Sequence, residues 1–91
     1  MKDCELISMN ALCRDVMCEG ERQVNKWGIQ DRSSFEWMLY LTEEVGELAE
    51  AISEYEYRKG DVRDIYKEAI QVATLALKIA EMSRGVTMKS P

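Results

Sequence analysis

Apolar residues recur every three or four positions through most of this chain, and glycine or polar clusters interrupt the recurrence near residues 28–33 and 58–61. That period belongs to amphipathic helices. The first stripe is Leu6, Met9, Cys13, Val16/Met17, Gly20, Val24 and Trp27, which predicts a helix from about Glu5 to Trp27. Gly28 follows as a C-terminal stop, and Gly28–Arg32 reads as a loop. Ser33-Ser34-Phe35-Glu36 has the form of a capping box, with Ser33 as N-cap and Glu36 reaching back to it. It opens a second helix that runs to about Tyr57, with Met38, Leu41, Val45, Leu48 and Ile52 as a narrow seam of heptad type. Arg58-Lys59-Gly60 ends that helix, with basic residues at the negative end of the dipole and a glycine as breaker.

Asp61 caps a third helix, predicted from about Val62 to Arg84 and stopped by Gly85. Val62, Tyr66, Ala69, Ala73, Ala76, Leu77 and Ala80 share one face of it, and Ile65, Val72, Leu75 and Ile79 form a second beside the first. A helix apolar on two sides is buried on two sides, and in so short a chain a neighbouring subunit can supply the second contact. Pro91, the only proline, is the last residue, and Val86–Pro91 reads as a frayed tail. No segment alternates as a strand would. The expectation is one all-α domain over residues 1–91: an antiparallel bundle of three main helices. Ninety-one residues give a thin core, so completion of the bundle as a homodimer or homotetramer is expected.

Charge narrows the partners. Seventeen acids against twelve bases leave a net charge of −5, which argues against a nucleic-acid polymer, because polyanion binding draws on clustered Lys and Arg. No apolar run approaches the ~18 residues of a membrane span. Met1-Lys2-Asp3-Cys4-Glu5 carries acids where a signal peptide would be apolar, so a cytoplasmic location is expected. Cys4, Cys13 and Cys18 have no metal-binding or redox spacing and read as reduced thiols. Histidine is absent, which removes Ser-His and Cys-His nucleophile pairs and His-ligated zinc. Any hydrolysis then falls to carboxylates, a metal, or both.

The carboxylates are where chemistry concentrates. Glu43, Glu44 and Glu47 fall within five residues of the second helix, and Glu68 and Gln71 lie three apart on the third. Glu68 sits on the second apolar face, where a carboxylate needs a partner. Folding the two helices antiparallel about Arg58–Asp61 sets Glu47 opposite Glu68 and Glu44 opposite Gln71. Oxygen donors from facing helices are a known way to build a metal site in a bundle, and all-oxygen ligation suits Mg²⁺ or Mn²⁺.

At this point the residues resemble a family. Leu41-Thr42-Glu43-Glu44-Val45-Gly46-Glu47-Leu48-Ala49-Glu50-Ala51-Ile52 looks like the E-E-x-x-E segment of the MazG-like all-α nucleoside triphosphate pyrophosphohydrolases. Glu21-Arg22-Gln23 and Lys26-Trp27-Gly28 resemble the stretch preceding it, and Lys67-Glu68-Ala69-Ile70-Gln71-Val72-Ala73 resembles the family's second metal segment. The likeness covers roughly residues 20–82. It implies Mg²⁺-dependent hydrolysis of a nucleoside triphosphate to monophosphate and pyrophosphate. By position it implies Glu44, Glu47, Glu68 and Gln71 as metal ligands, with Glu47 also catalytic and Glu43 orienting the attacking water or holding a second metal. Lys26, Arg22 and Lys67 are candidates for phosphate contact, Gln23 for a hydrogen bond to a base or sugar, and Trp27 for stacking on a base; the competing readings are a solvated surface for the four polar residues and a core position for Trp27. Gln71 departs from the family's aspartate. Its amide oxygen can ligate a cation but brings no charge and cannot act as a base, so an inactive bundle that binds nucleotide, metal or another protein stands as the alternative.

Overall fold

The computed structural model describes residues 9–84. They form three helices: α1 (Met9–Trp27), α2 (Ser34–Tyr57) and α3 (Val62–Arg84). None of the described residues forms a strand. The predicted start of α1 at Glu5, the Leu6 position of its stripe, the Gly85 stop and the Val86–Pro91 tail lie outside the described residues.

The predicted caps set the helix ends. Gly28 takes a positive φ of 75°, and its N–H donates to the Val24 carbonyl at 2.7 Å. At α2 the capping box is complete: Glu36 N donates to Ser33 Oγ at 3.2 Å and Ser33 N to Glu36 Oε1 at 3.0 Å. Asp61 Oδ1 accepts from Arg63 N at 2.8 Å at the start of α3. The α2–α3 turn divides its labour between two residues. Lys59, not Gly60, takes the left-handed conformation, with φ 59°. Gly60 is needed for close approach: its N–H donates to the Glu54 carbonyl at 2.8 Å, and a Cβ there would lie 2.9 Å from the Glu54 carbonyl carbon. Gly60→Ala should therefore destabilise the protein by about 1–3 kcal/mol, as overpacking does. Thermal unfolding checks this, and an unchanged melting temperature would refute the turn geometry.

α3 is the central element. It packs against α2 on one side and α1 on the other, while α1 and α2 do not pack together. The α2–α3 pair is an antiparallel hairpin. α1 runs parallel to α3, with Asp15 accepting a hydrogen bond from the Tyr66 hydroxyl and Gln23 Oε1 accepting one from Lys78 Nζ. The second contact on α3, which the sequence left open to a neighbouring subunit, is thus supplied by α1.

The buried stripes differ from the expected ones. On α2 the side facing α3 is Trp37, Leu41, Glu44, Leu48 and Ile52, with Trp37 buried and the others half-buried, while Met38 and Val45 are exposed. On α1 no residue is buried. Leu12, Val16, Glu19, Gly20 and Gln23 are half-buried, whereas Met9, Cys13, Met17, Val24 and Trp27 are exposed because α1 has one neighbour and not two. On α3 the face carrying Ile65 and Leu75 is buried, and Val62, Tyr66, Ala76, Leu77 and Ala80 are exposed. The buried core among the described residues is Trp37, Ile65, Leu75 and the polar Thr74. A core this small leaves much apolar surface uncovered.

Candidate metal centre and adjoining cleft

The tight turn at Arg58–Asp61 fixes the register of α2 on α3, and that register brings the acids together. One carboxylate oxygen from each of Glu44, Glu47 and Glu68 falls within 4.8 Å of the others. Glu44 and Glu68 are half-buried and Glu47 is exposed. Gln71 completes the group. With its amide turned so that the NH₂ faces the acids, an orientation assigned from hydrogen-bond chemistry, it donates to Glu68 Oε2 at 3.0 Å and to Glu44 Oε2 at 3.2 Å. Gln71 therefore ties together two carboxylates that would otherwise only repel.

Electrostatics record the crowding. Burial raises the Glu44 carboxyl above the usual carboxylate range, and the charges of Glu47, Glu68, Glu19 and Glu43 add to it. Burial also raises Glu68, followed by the Glu47 charge and a hydrogen bond with Glu47, with Lys67 opposing. A cation among these oxygens would reverse the repulsion. The donor set fits a hard ion: three carboxylates and an amide that can present its oxygen by rotating, with no sulfur or nitrogen ligand.

Glu44 and Gln71 also belong to the wall of a cleft of about 790 Å³, formed where α1 and α2 diverge on either side of α3. The centre and the cleft are thus continuous. Glu43, exposed and not one of the three clustered carboxylates, stands on the cleft wall beside Glu44. Gln23 and Trp27, read from sequence as substrate contacts, line it too. Trp27 is 54% exposed, with Lys26 Nζ 4.7 Å and the Arg22 guanidinium carbon 5.8 Å from its ring centroid. It sits at the rim and not in the core. Arg22 lines the cleft but is held by Glu19 at 2.7 Å. Lys26 and Lys67 are exposed and do not line it.

Several cleft residues were not singled out from sequence. Lys78 lies two turns beyond Gln71 on α3, half-buried, its ammonium pushed down by burial while Glu19 pulls it back up. Glu19 is held below the usual carboxylate range, first by its hydrogen bond from Arg22. Arg32 lies over the Tyr40 ring at 4.5 Å to the centroid. Trp37 forms part of the wall. The spacing of Gln71 and Lys78, seven apart on one helix, was a signal available in advance; the Arg32–Tyr40 and Trp37 placements depend on how the loop packs. No protein-family model, no curated protein and no solved structure matches this chain. No helix among the described residues is long and apolar enough to cross a membrane.

Proposed function

We propose that this protein is a Mg²⁺- or Mn²⁺-dependent pyrophosphohydrolase of a nucleoside triphosphate. The observation that carries this reading is the trio of clustered carboxylates, Glu44, Glu47 and Glu68, on the edge of a cleft large enough for a nucleotide. The resemblance of residues 41–52 and 67–73 to the MazG-like segments supports the same assignment. Glu44, Glu47, Glu68 and the Gln71 amide oxygen would hold the cation. When bound, the cation would offset phosphate charge and make water easier to deprotonate. Glu43 would orient the attacking water and accept its proton. Water attack at the α-phosphorus forms one P–O bond and breaks the α–β bridging P–O bond, and pyrophosphate leaves.

A second reading has its own observation. The Gln71 amide donates to both Glu44 and Glu68, and a neutral bridge between two carboxylates suits a helical bundle that binds metal, nucleotide or a partner without turnover. Pyrophosphate release from a panel of NTPs and dNTPs with Mg²⁺ or Mn²⁺, beside a Glu47→Ala control, separates the two. Release that disappears in the control and with chelator supports the enzyme. No release, from protein whose melting temperature still rises with Mn²⁺ and a non-hydrolysable nucleotide, supports the binding bundle.

The same proposal includes a second copy of the chain. Phe35, Met38, Leu39 and Val45 lie outside the buried stripe of α2 and are 59, 53, 60 and 47% exposed. Large apolar side chains exposed together on one helix suit an interaction surface.

A further inference from the structure

Trp37 is the one buried residue of α2, 5% exposed, and it lines the cleft. Its indole N–H has no hydrogen-bond acceptor among the described residues, and no other buried side-chain polar atom there shares that condition. Buried donors are almost always paired, because an unpaired one keeps the whole desolvation penalty. Several of the other donors around the cleft are engaged. Arg22 and the Gln23 amide donate to Glu19, Lys78 donates to Gln23, and the Thr74 hydroxyl donates to the Ile70 carbonyl at 2.8 Å. Among the described residues Trp37 Nε1 is the buried donor left over, and its residue lines a cleft that begins at the candidate metal centre.

We infer that Trp37 reads the ligand. The ligand is a phosphorylated compound whose phosphates meet Glu44, Glu47 and Glu68 and whose planar ring enters the cleft. Trp37 Nε1–H donates to a carbonyl oxygen or ring nitrogen on that ring. This rests on the function proposed above and adds a specificity determinant to it. The nitrogen is shielded from solvent, so the ring reaches it by displacing neighbouring side chains. The bond then forms in a dry site, where it is strongest. A site built to donate a hydrogen bond discriminates against a ring that offers no acceptor, since the donor is again left unpaired.

The test uses the full chain with Mn²⁺ and titrates non-hydrolysable α,β-imido analogues of the four common dNTPs, with inorganic tripolyphosphate as the ring-free comparator. Two variants are compared with wild type: Trp37→Phe, and replacement of Trp37 by β-(3-benzothienyl)alanine, which keeps the bicyclic shape and deletes only the N–H. Both should bind the preferred nucleotide analogue roughly tenfold more weakly, the loss expected for one hydrogen bond, and should bind tripolyphosphate as wild type does. The benzothienyl protein should also melt no lower than wild type without ligand, because an unpaired donor has been removed. Wild-type preference for a nucleotide over tripolyphosphate that survives unchanged in the benzothienyl protein would overturn the role of Trp37. Equal wild-type affinity for both probes would overturn ring recognition in the cleft while leaving the metal–phosphate reading standing. Binding of neither probe would instead sink the function on which this inference is built.

Discussion

Glu68→Gln should weaken Mn²⁺ binding on the order of 100-fold and should, without metal, make the protein more stable than wild type. The two effects have one cause. Glu68 is half-buried near Glu44 and Glu47, and burial and the Glu47 charge hold its carboxyl above the ordinary range. Glutamine keeps the shape and removes a charge. Changes merely behind a ligand cost roughly 10–100-fold in affinity, so the loss of a charged ligand belongs at or beyond the upper end. The sign of the stability effect follows from linkage. A carboxyl raised on folding holds its proton to higher pH in the native state than in the unfolded chain. Its favourable contribution is complete below the unfolded value of about 4.3 and is lost as pH rises through the raised folded value. In chelator, the melting temperatures of variant and wild type should converge at low pH and separate above it, with the variant higher. Adding Mn²⁺ should reverse their order at neutral pH, because only wild type gains appreciably from the ion. A variant that melts below wild type in chelator at neutral pH, or that binds Mn²⁺ equally well, would remove Glu68 from the centre.

Much of this arrangement was legible in the sequence because local signals controlled it. Ser33 with Glu36, Asp61, Gly28 and the Arg58–Gly60 turn set the helix ends within the described residues, and the short turn fixed the register that sets Glu47 near Glu68 and Gln71 between Glu68 and Glu44. Which stripe of each helix would be buried was not legible. α2 carries two apolar stripes about a fifth of a turn apart, one through Trp37, Leu41 and Leu48 and another through Met38 and Val45. Periodicity finds both and cannot rank them. The choice belongs to α3, whose Ile65–Leu75 face accepts the Trp37 side. The cleft was hidden for a related reason. It exists because α1 joins α3 alone, and nothing in the α1 stripe says how many neighbours the helix will have.

The stripe that α3 does not cover leads to the remaining large effect. The self-association proposed above predicts that Val45→Glu yields monomer while leaving metal affinity unchanged. Val45 shares an exposed stripe of α2 with Met38 and Ala49, and Gly46, also exposed, follows it in the chain about 100° further round the helix. A glycine inside a helix costs about 1 kcal/mol relative to alanine. Nothing among the described residues requires it, since a Cβ at Gly46 would meet none of their atoms within 4 Å. A close partner helix gives that glycine a purpose. A carboxylate placed unpaired in such a contact costs about 3 kcal/mol or more, which is over 100-fold in dissociation constant, and a two-fold interface suffers it in both copies. Glu44, Glu47, Glu68 and Gln71 all come from one chain, so the ion should bind to the separated copies. Sedimentation or light scattering across micromolar concentrations, paired with Mn²⁺ titration, reads both quantities. Gly46→Ala sharpens the result: it should raise helix stability and still weaken association. If wild type is already a monomer at those concentrations, the exposed stripe of α2 has no second copy against it. If Val45→Glu abolishes ion binding together with association, the centre depends on the partner in a way the single-chain geometry does not predict.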